Sequence, residues 1–218
     1  MSDVVVAQIV DATRAEGPGL RTAVWVQGCT IRCRGCFNPH LFTFRGGTRV
    51  TPAALAARII AARTDGVTLL GGEPFDQAAA LAEVASEVAA AGRSVMTFTG
   101  YEAATLQASG QVGVQALLAA TDLLVAGPFR ADLLDHTRPW VGSTNQEFLV
   151  LGDRFPNILD GLAATPDRVE IRVDATGTVA VNGWASAEAF DLLFDGLQRP
   201  PTRRSGVVVD DQVVGDRA

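Results

Sequence analysis

Five short apolar runs set the frame of this chain: Val4 to Val10, Ala23 to Gln27, Val67 to Leu70, Ser94 to Thr99 and Leu123 to Val125, each bounded by turn residues. Runs so short and so continuously apolar read as strands buried on both faces, the pattern of a parallel sheet. Helix-forming stretches alternate with them. Thr51 stands as a cap before Pro52, and Ala53 to Arg63 continue with helix formers. Gln77 to Ala91 is rich in Ala and Leu and stops at Gly92. The alternation predicts an α/β fold whose sheet is open or barrel-like. The strands are too few for an eight-stranded closure, so the sheet is expected to stay laterally open. Val169 to Val173, the turn Asp174-Ala175-Thr176-Gly177, and Thr178 to Asn182 read as a closing hairpin. A last helix from about Ser186 to Gln198 and a polar, flexible tail from Arg199 to Ala218 complete the expected organisation. The domain is therefore expected to span 1–198 and the tail 199–218.

Composition removes many functions. The 218 residues are 48% hydrophobic and 19% charged, as expected of a globular domain with a substantial core. The net charge of -6 disfavours a broad electrostatic grip on nucleic acid. No apolar run has the length of a membrane span, and the first residues, with Asp3 among them, do not read as a secretory signal, so a cytoplasmic location is expected. All 18 basic residues are Arg. Without Lys there is no Schiff-base, pyridoxal-phosphate or P-loop lysine. With only His40 and His136 present, a three-His zinc centre or a paired-His metalloprotease helix is excluded.

What remains is cysteine. Cys29, Cys33 and Cys36 are the three in the chain, and they lie in Gly28-Cys29-Thr30-Ile31-Arg32-Cys33-Arg34-Gly35-Cys36-Phe37-Asn38-Pro39, a Cys-x3-Cys-x2-Cys spacing. An odd number of thiols this close together argues against a disulfide framework and for metal ligation. Arg32 and Arg34 beside them are expected to favour the deprotonated, metal-binding form. Two centres fit the spacing. Zinc needs a fourth ligand, which His40 supplies, giving a non-catalytic Cys3His adaptor. A [4Fe-4S] cluster normally takes four Cys, so three leave one iron open to a ligand that is not protein.

In α/β sheets ligands gather at the C-terminal ends of the strands. The cysteine loop follows one predicted strand, and Gly71-Gly72-Glu73-Pro74 follows another. Paired glycines there let backbone approach a small ligand, and Glu73 is suited to receive a positively charged amino group.

The three-cysteine loop followed by Gly-Gly-Glu-Pro at a strand end resembles the radical S-adenosylmethionine (radical SAM) superfamily. Within it the chain is most similar to the activating enzymes of glycyl radical enzymes, above all those of anaerobic ribonucleotide reductase. Glu16-Gly17-Pro18-Gly19-Leu20-Arg21, Asn38, Thr99-Gly100-Tyr101, Asp122-Leu123-Leu124-Val125 and Gly142-Ser143-Thr144-Asn145-Gln146 agree in order, so the likeness covers about 5–150 and leaves 151–198 as an extension. The resemblance implies an open partial (β/α) barrel with a C-terminal hairpin and helix. It implies a [4Fe-4S] cluster on Cys29, Cys33 and Cys36 whose open iron chelates S-adenosylmethionine. Gly71, Gly72 and Glu73 then bind the methionyl part, and the surroundings of Gly35, Cys36 and Phe37 the adenosyl part. Reductive cleavage to a 5'-deoxyadenosyl radical is the implied reaction, and a glycine α-hydrogen of a glycyl radical protein the leading target. A reduced flavodoxin or ferredoxin-like protein is the implied electron donor. Radical tailoring of a small molecule or peptide is the alternative.

Overall fold

The computed structural model describes residues 2–166, 168–173, 175–177 and 179–183, together with 191, 192 and 195. The expected helix at Ser186 to Gln198, but for those last three positions, and the tail from Arg199 lie outside the described residues. Residues 1–184 form one compact unit.

Seven strands make a single mixed sheet. In chain order they are β1 (Val4–Thr13), β2 (Arg21–Val26), β3 (Thr48–Val50), β4 (Gly66–Gly71), β5 (Ser94–Thr99), β6 (Leu123–Ala126) and β7 (Glu147–Val150), and they lie side by side as β3-β1-β2-β4-β5-β6-β7. β2, β4, β5 and β6 run parallel. The order begins at β3 and ends at β7, and these two are not paired with each other. A separate hairpin pairs β8 (Val169–Val173) with β9 (Val179–Gly183) antiparallel, where the sequence placed it.

One expectation is corrected. The run Val4 to Val10 is not a parallel strand: β1 pairs antiparallel with both β2 and β3. The cause lies in the connection. Only Arg14–Leu20 separates β1 from β2, too little chain for the crossover that a parallel neighbour requires.

The crossovers are helical. α1 (Pro52–Ala61) begins where Thr51 accepts a hydrogen bond from the Ala54 N–H, with Pro52 in the first turn as the sequence predicted. α2 (Ala78–Ala90) joins β4 to β5, and the short α3 (Ala103–Gln107) and α4 (Val112–Ala119) join β5 to β6. These helices cover one face of the sheet. Val24, Val26, Val67, Leu69, Val95 and Leu124 from the strands pack there against Leu55, Ile59, Leu81, Val84, Val88 and Leu117. Because strand side chains alternate, the neighbouring residues Ala23, Trp25, Leu70, Met96, Phe98, Leu123 and Val125 occupy the opposite face. None of α1 to α4 packs on that face. Leu41 packs at one end of it and Trp140, Val141, Phe148, Phe155 and Ile158 at the other.

The N-terminal end of the parallel strands is locked by a buried cation. Arg21 is fully buried, donating to Thr68 Oγ1 at 2.7 Å, Ser94 Oγ at 3.0 Å and the carbonyls of Pro18 and Val67. Burial lowers its pKa to about 10, so it stays charged at neutral pH. Nearby, Asp122 accepts the Val95 N–H at 2.8 Å and fixes the start of β6 against β5. No helix among the described residues is long and apolar enough to cross a membrane.

Candidate metal centre

The cysteine loop leaves the C-terminal end of β2, beside the end of β4. Its course is set by backbone contacts with the Gly71–Gly72 turn. Gly72 donates its N–H to the Val26 carbonyl, and Glu73 donates its own to the Gly28 carbonyl, both at 2.8 Å. The glycine pair answers a crowding inside the chain. A Cβ on Gly72 would stand 2.1 Å from the Gly28 oxygen, and one on Gly71, at φ +105°, 2.7 Å from the Trp25 Cα. The room that the sequence reading kept for a ligand is used by the neighbouring strand and by the first residue of the cysteine loop.

Cys29 is buried, whereas Cys33 and Cys36 are half-exposed. Each sulfur faces backbone N–H groups: Ile31 and Arg32 for Cys29, Phe129 for Cys33, and Asn38, at 3.4 Å, for Cys36. Such N–H···S contacts stabilise thiolates and are among the groups that tune an iron–sulfur centre. The expectation that Arg32 and Arg34 depress the thiols is corrected. Burial pushes Cys29 and Cys33 up, with the carboxylate of Glu73 adding to the shift at both. Both arginines are exposed and point their charge into water, where it is screened.

Among the described residues, no three His, Cys, Asp or Glu side chains converge on a single metal ion. His40 sits exposed in the 3-10 turn Pro39–Leu41. A four-iron cube takes one thiolate per corner, so its ligands need not meet at one point. The loop therefore suits a cluster better than a Cys3His zinc shell.

Glu73 is 1% exposed and joins two strand ends. It accepts from Phe75 N–H and Thr99 Oγ1 at 2.9 Å each and from Gly100 N–H at 2.8 Å. Burial outweighs these bonds and raises its pKa to about 7. Gly35, at φ +79°, lies under Ala131 and Phe129, and Phe37 meets the Phe129 ring edge-on at 5.2 Å. The segment after β6 thus roofs the cysteine loop.

Sequence reasoning missed several participants. Asp76, two residues past the Gly-Gly-Glu-Pro stretch, accepts from the Thr30 N–H and hydroxyl and from Tyr101 Oη. Tyr101 also accepts the Gly127 N–H on its carbonyl, so it ties β5, β6 and the cysteine loop together. Phe129 had no signal of its own. Asn145 donates to the Pro128 carbonyl at 2.8 Å, while its Oδ1 is buried without a partner, an acceptor left open at the end of β6.

An open α/β sheet that carries three thiols on a loop at the C-terminal ends of its parallel strands defines an iron–sulfur type of site. The chain belongs to the 4Fe-4S single cluster domain family, which it matches over residues 15–149. It is 34% identical over 140 residues to the anaerobic ribonucleoside-triphosphate reductase-activating protein of Vibrio cholerae, covering 60% of this chain and 87% of that one. The protein of that name from Escherichia coli K12 is 31% identical over 140 residues, covering 60% and 88%. The pyruvate formate-lyase-activating enzyme of Clostridium pasteurianum is 38% identical over 64 residues, 27% of each chain. The resemblance to glycyl radical activating enzymes read from the motifs agrees with these relatives.

Proposed function

We propose that this chain is a radical SAM activase that generates a glycyl radical in a partner protein, of the anaerobic ribonucleotide reductase type. The observation that carries the reading is the three-thiol loop, each sulfur supplied with backbone N–H donors, set at the strand end beside Gly71-Gly72-Glu73. Cys29, Cys33 and Cys36 hold the [4Fe-4S] cluster. When bound, cluster and S-adenosylmethionine supply an electron and a cleavable sulfonium, and hence the 5'-deoxyadenosyl radical that takes a glycine α-hydrogen.

The chain's own residues bind, orient and shield. Gly71 and Gly72 shape the strand end that meets the methionyl group. Glu73 lends negative charge toward its ammonium and holds the Thr99–Gly100 turn in place. Gly35, Cys36 and Phe37, with the Phe129 ring over them, line the adenosyl side and exclude water. The unclosed strand order, with α1 to α4 on one face, supports the finer reading of an open partial barrel that admits a loop of a large partner at its open side. The domain is read as 1–198, with 199–218 a tail.

Anaerobic reconstitution tests this. The reading expects about four irons per chain, following the cluster type, an electron paramagnetic resonance signal of the reduced cluster that changes on adding S-adenosylmethionine, and methionine release with dithionite. Zinc without iron, or a signal blind to S-adenosylmethionine, rejects it.

A further inference from the structure

We propose that the arginine rim around the cysteine loop is the docking surface of an acidic one-electron donor protein. The inference rests on the radical SAM reading above and adds the place where the electron arrives. Charge is unevenly distributed along this acidic chain. The stretch from Gly17 to Thr64 holds seven arginines and not one Asp or Glu, although the whole chain has 24 acidic residues against 18 basic.

Four of the seven gather at one place. Arg32 and Arg34 stand between the cysteines themselves. Arg45 follows Phe44, whose ring lies against Gly28 at the start of the loop. Arg49 lies in β3, opposite Val5, and the adjacent pair Thr48–Val6 leads directly across to Val26 at the end of β2. All four are exposed. Among the described residues the ion pairs are made by Arg58, Arg130, Arg138, Arg154 and Arg172, not by these four. Of the carboxylates that touch the loop, Asp76 is engaged by Thr30 and Tyr101, and Glu73 is buried. Phe44, 57% exposed, gives the rim the apolar contact that a transient interface needs beside its charge.

Position argues for a donor over the substrate protein. Cys29, Cys33 and Cys36 would hold the cluster from the loop, and S-adenosylmethionine would meet it from the side of Gly71, Gly72 and Glu73. A substrate loop must reach the cofactor, whereas an electron must reach the cluster. Arg32 and Arg34 flank Cys33 in the chain and Arg45 follows the ring that lies on Gly28, so a protein seated there comes close to the cysteine loop and to the cluster it would hold. The donor loses one electron and the oxidised cluster gains one, which then passes to the sulfonium as its sulfur–carbon bond breaks. Unpaired charge of one sign around such a site raises the rate of encounter with an opposite partner and makes it salt-dependent.

The test uses the full chain with its reconstituted cluster and an acidic flavodoxin as the probe. Charge reversal is placed at Arg45→Glu with Arg49→Glu. At low salt the KM for reduced flavodoxin is expected to rise on the order of tenfold with kcat little changed. Dithionite-driven cleavage of S-adenosylmethionine is expected to stay at the parent rate, and Arg45→Lys with Arg49→Lys to restore the parent KM. An unchanged KM in the reversed variant overturns the proposal. So does an equal loss with dithionite, which assigns these residues to the cofactor site, or a loss confined to the glycyl radical protein. If the parent chain releases no methionine even with dithionite, the activase reading is what fails. Calorimetric titration of the chain with flavodoxin then still reads the rim: weakening by charge reversal supports it and unaltered binding refutes it.

Discussion

Asp76 holds Thr30 twice, through its backbone N–H and through its hydroxyl, each at 2.8 Å. The residue next to Cys29 is thereby fastened to the turn that follows Glu73, and Tyr101 Oη closes the triangle at 3.0 Å from Asp76 and 2.9 Å from Thr30. Asp76→Ala removes all three bonds and should loosen the cysteine loop. Hydrogen exchange at the Thr30 amide is expected to accelerate, and the chain to retain less iron after desalting. Tyr101→Phe leaves the Asp76–Thr30 bonds standing and should cost about 1 kcal/mol. Equal exchange rates in Asp76→Ala and the parent would remove this clamp from the account.

Glu73 makes stability depend on pH. Its folded pKa, raised to about 7 by burial, lies above the unfolded carboxyl value, so the folded state binds more protons between about pH 4.5 and 7. The stability from the protonated form is present at the acid end and is lost as pH rises through 7. Comparing urea midpoints at pH 5.5 and 8 for the parent and Glu73→Gln isolates this contribution. The variant should show the weaker decline. It should also be less stable at pH 5.5 by about 1–3 kcal/mol, because one amide oxygen replaces two carboxyl oxygens facing Phe75, Thr99 and Gly100.

Gly72→Ala drives a methyl to 2.1 Å from the Gly28 carbonyl, and backbone has to move. A loss of about 1–3 kcal/mol is expected. Since Gly28 precedes Cys29, iron incorporation should fall further than the stability change explains. A folded Gly72→Ala protein that takes up the parent's iron would show that the loop tolerates the shift.

Each of Cys29→Ser, Cys33→Ser and Cys36→Ser should abolish cluster assembly while leaving the sheet folded, because the loop is also held by the Glu73–Gly28 backbone bond, the Thr30–Asp76 bonds and the buried Leu41. Far-ultraviolet circular dichroism and iron content separate the two effects. Full iron content in any one of them would remove that residue from the ligand set.

Arg21→Ala leaves a cavity and several buried acceptors unpaired, among them Thr68, Ser94 and the Val67 carbonyl. A loss of about 3 kcal/mol or more is expected by chemical denaturation. Arg21→Lys should recover little, since one ammonium does not span acceptors that a guanidinium fork reaches together.

The central strands, α1, α2 and the hairpin could be read from the chain because burial on both faces leaves unbroken apolar runs and because Thr51, Pro52 and Gly92 mark helix ends. β3 and β7 could not. Thr48–Val50 is short and mostly exposed, and Glu147–Val150 is an edge half-open to solvent, so neither carries a strong apolar pattern. The antiparallel sense of β1 is a property of the loop before β2 and leaves no trace in the strand itself. At the site, cysteine spacing announced the ligands, whereas Asp76 and Phe129 act across 46 and 96 residues of chain and have no local signature. Asp76 was within reach of the reading, as an acid in the first turn after Pro74.

Side-chain alternation divides every central strand between two packed faces, one of them against α1 to α4. Val24, Val67, Val95 and Leu124 are committed to the helical core, while Trp25, Leu70, Met96 and Val125, one residue on, look the other way. A mutation on the helix side is paid in stability. On the other side Met96 and Val125 are just as fully buried, packed with Val141, Trp140 and Phe148, and of the four only Leu70 is half-open. A library meant to vary what this face meets without eroding what holds the sheet together therefore starts at Leu70 and spares its buried neighbours.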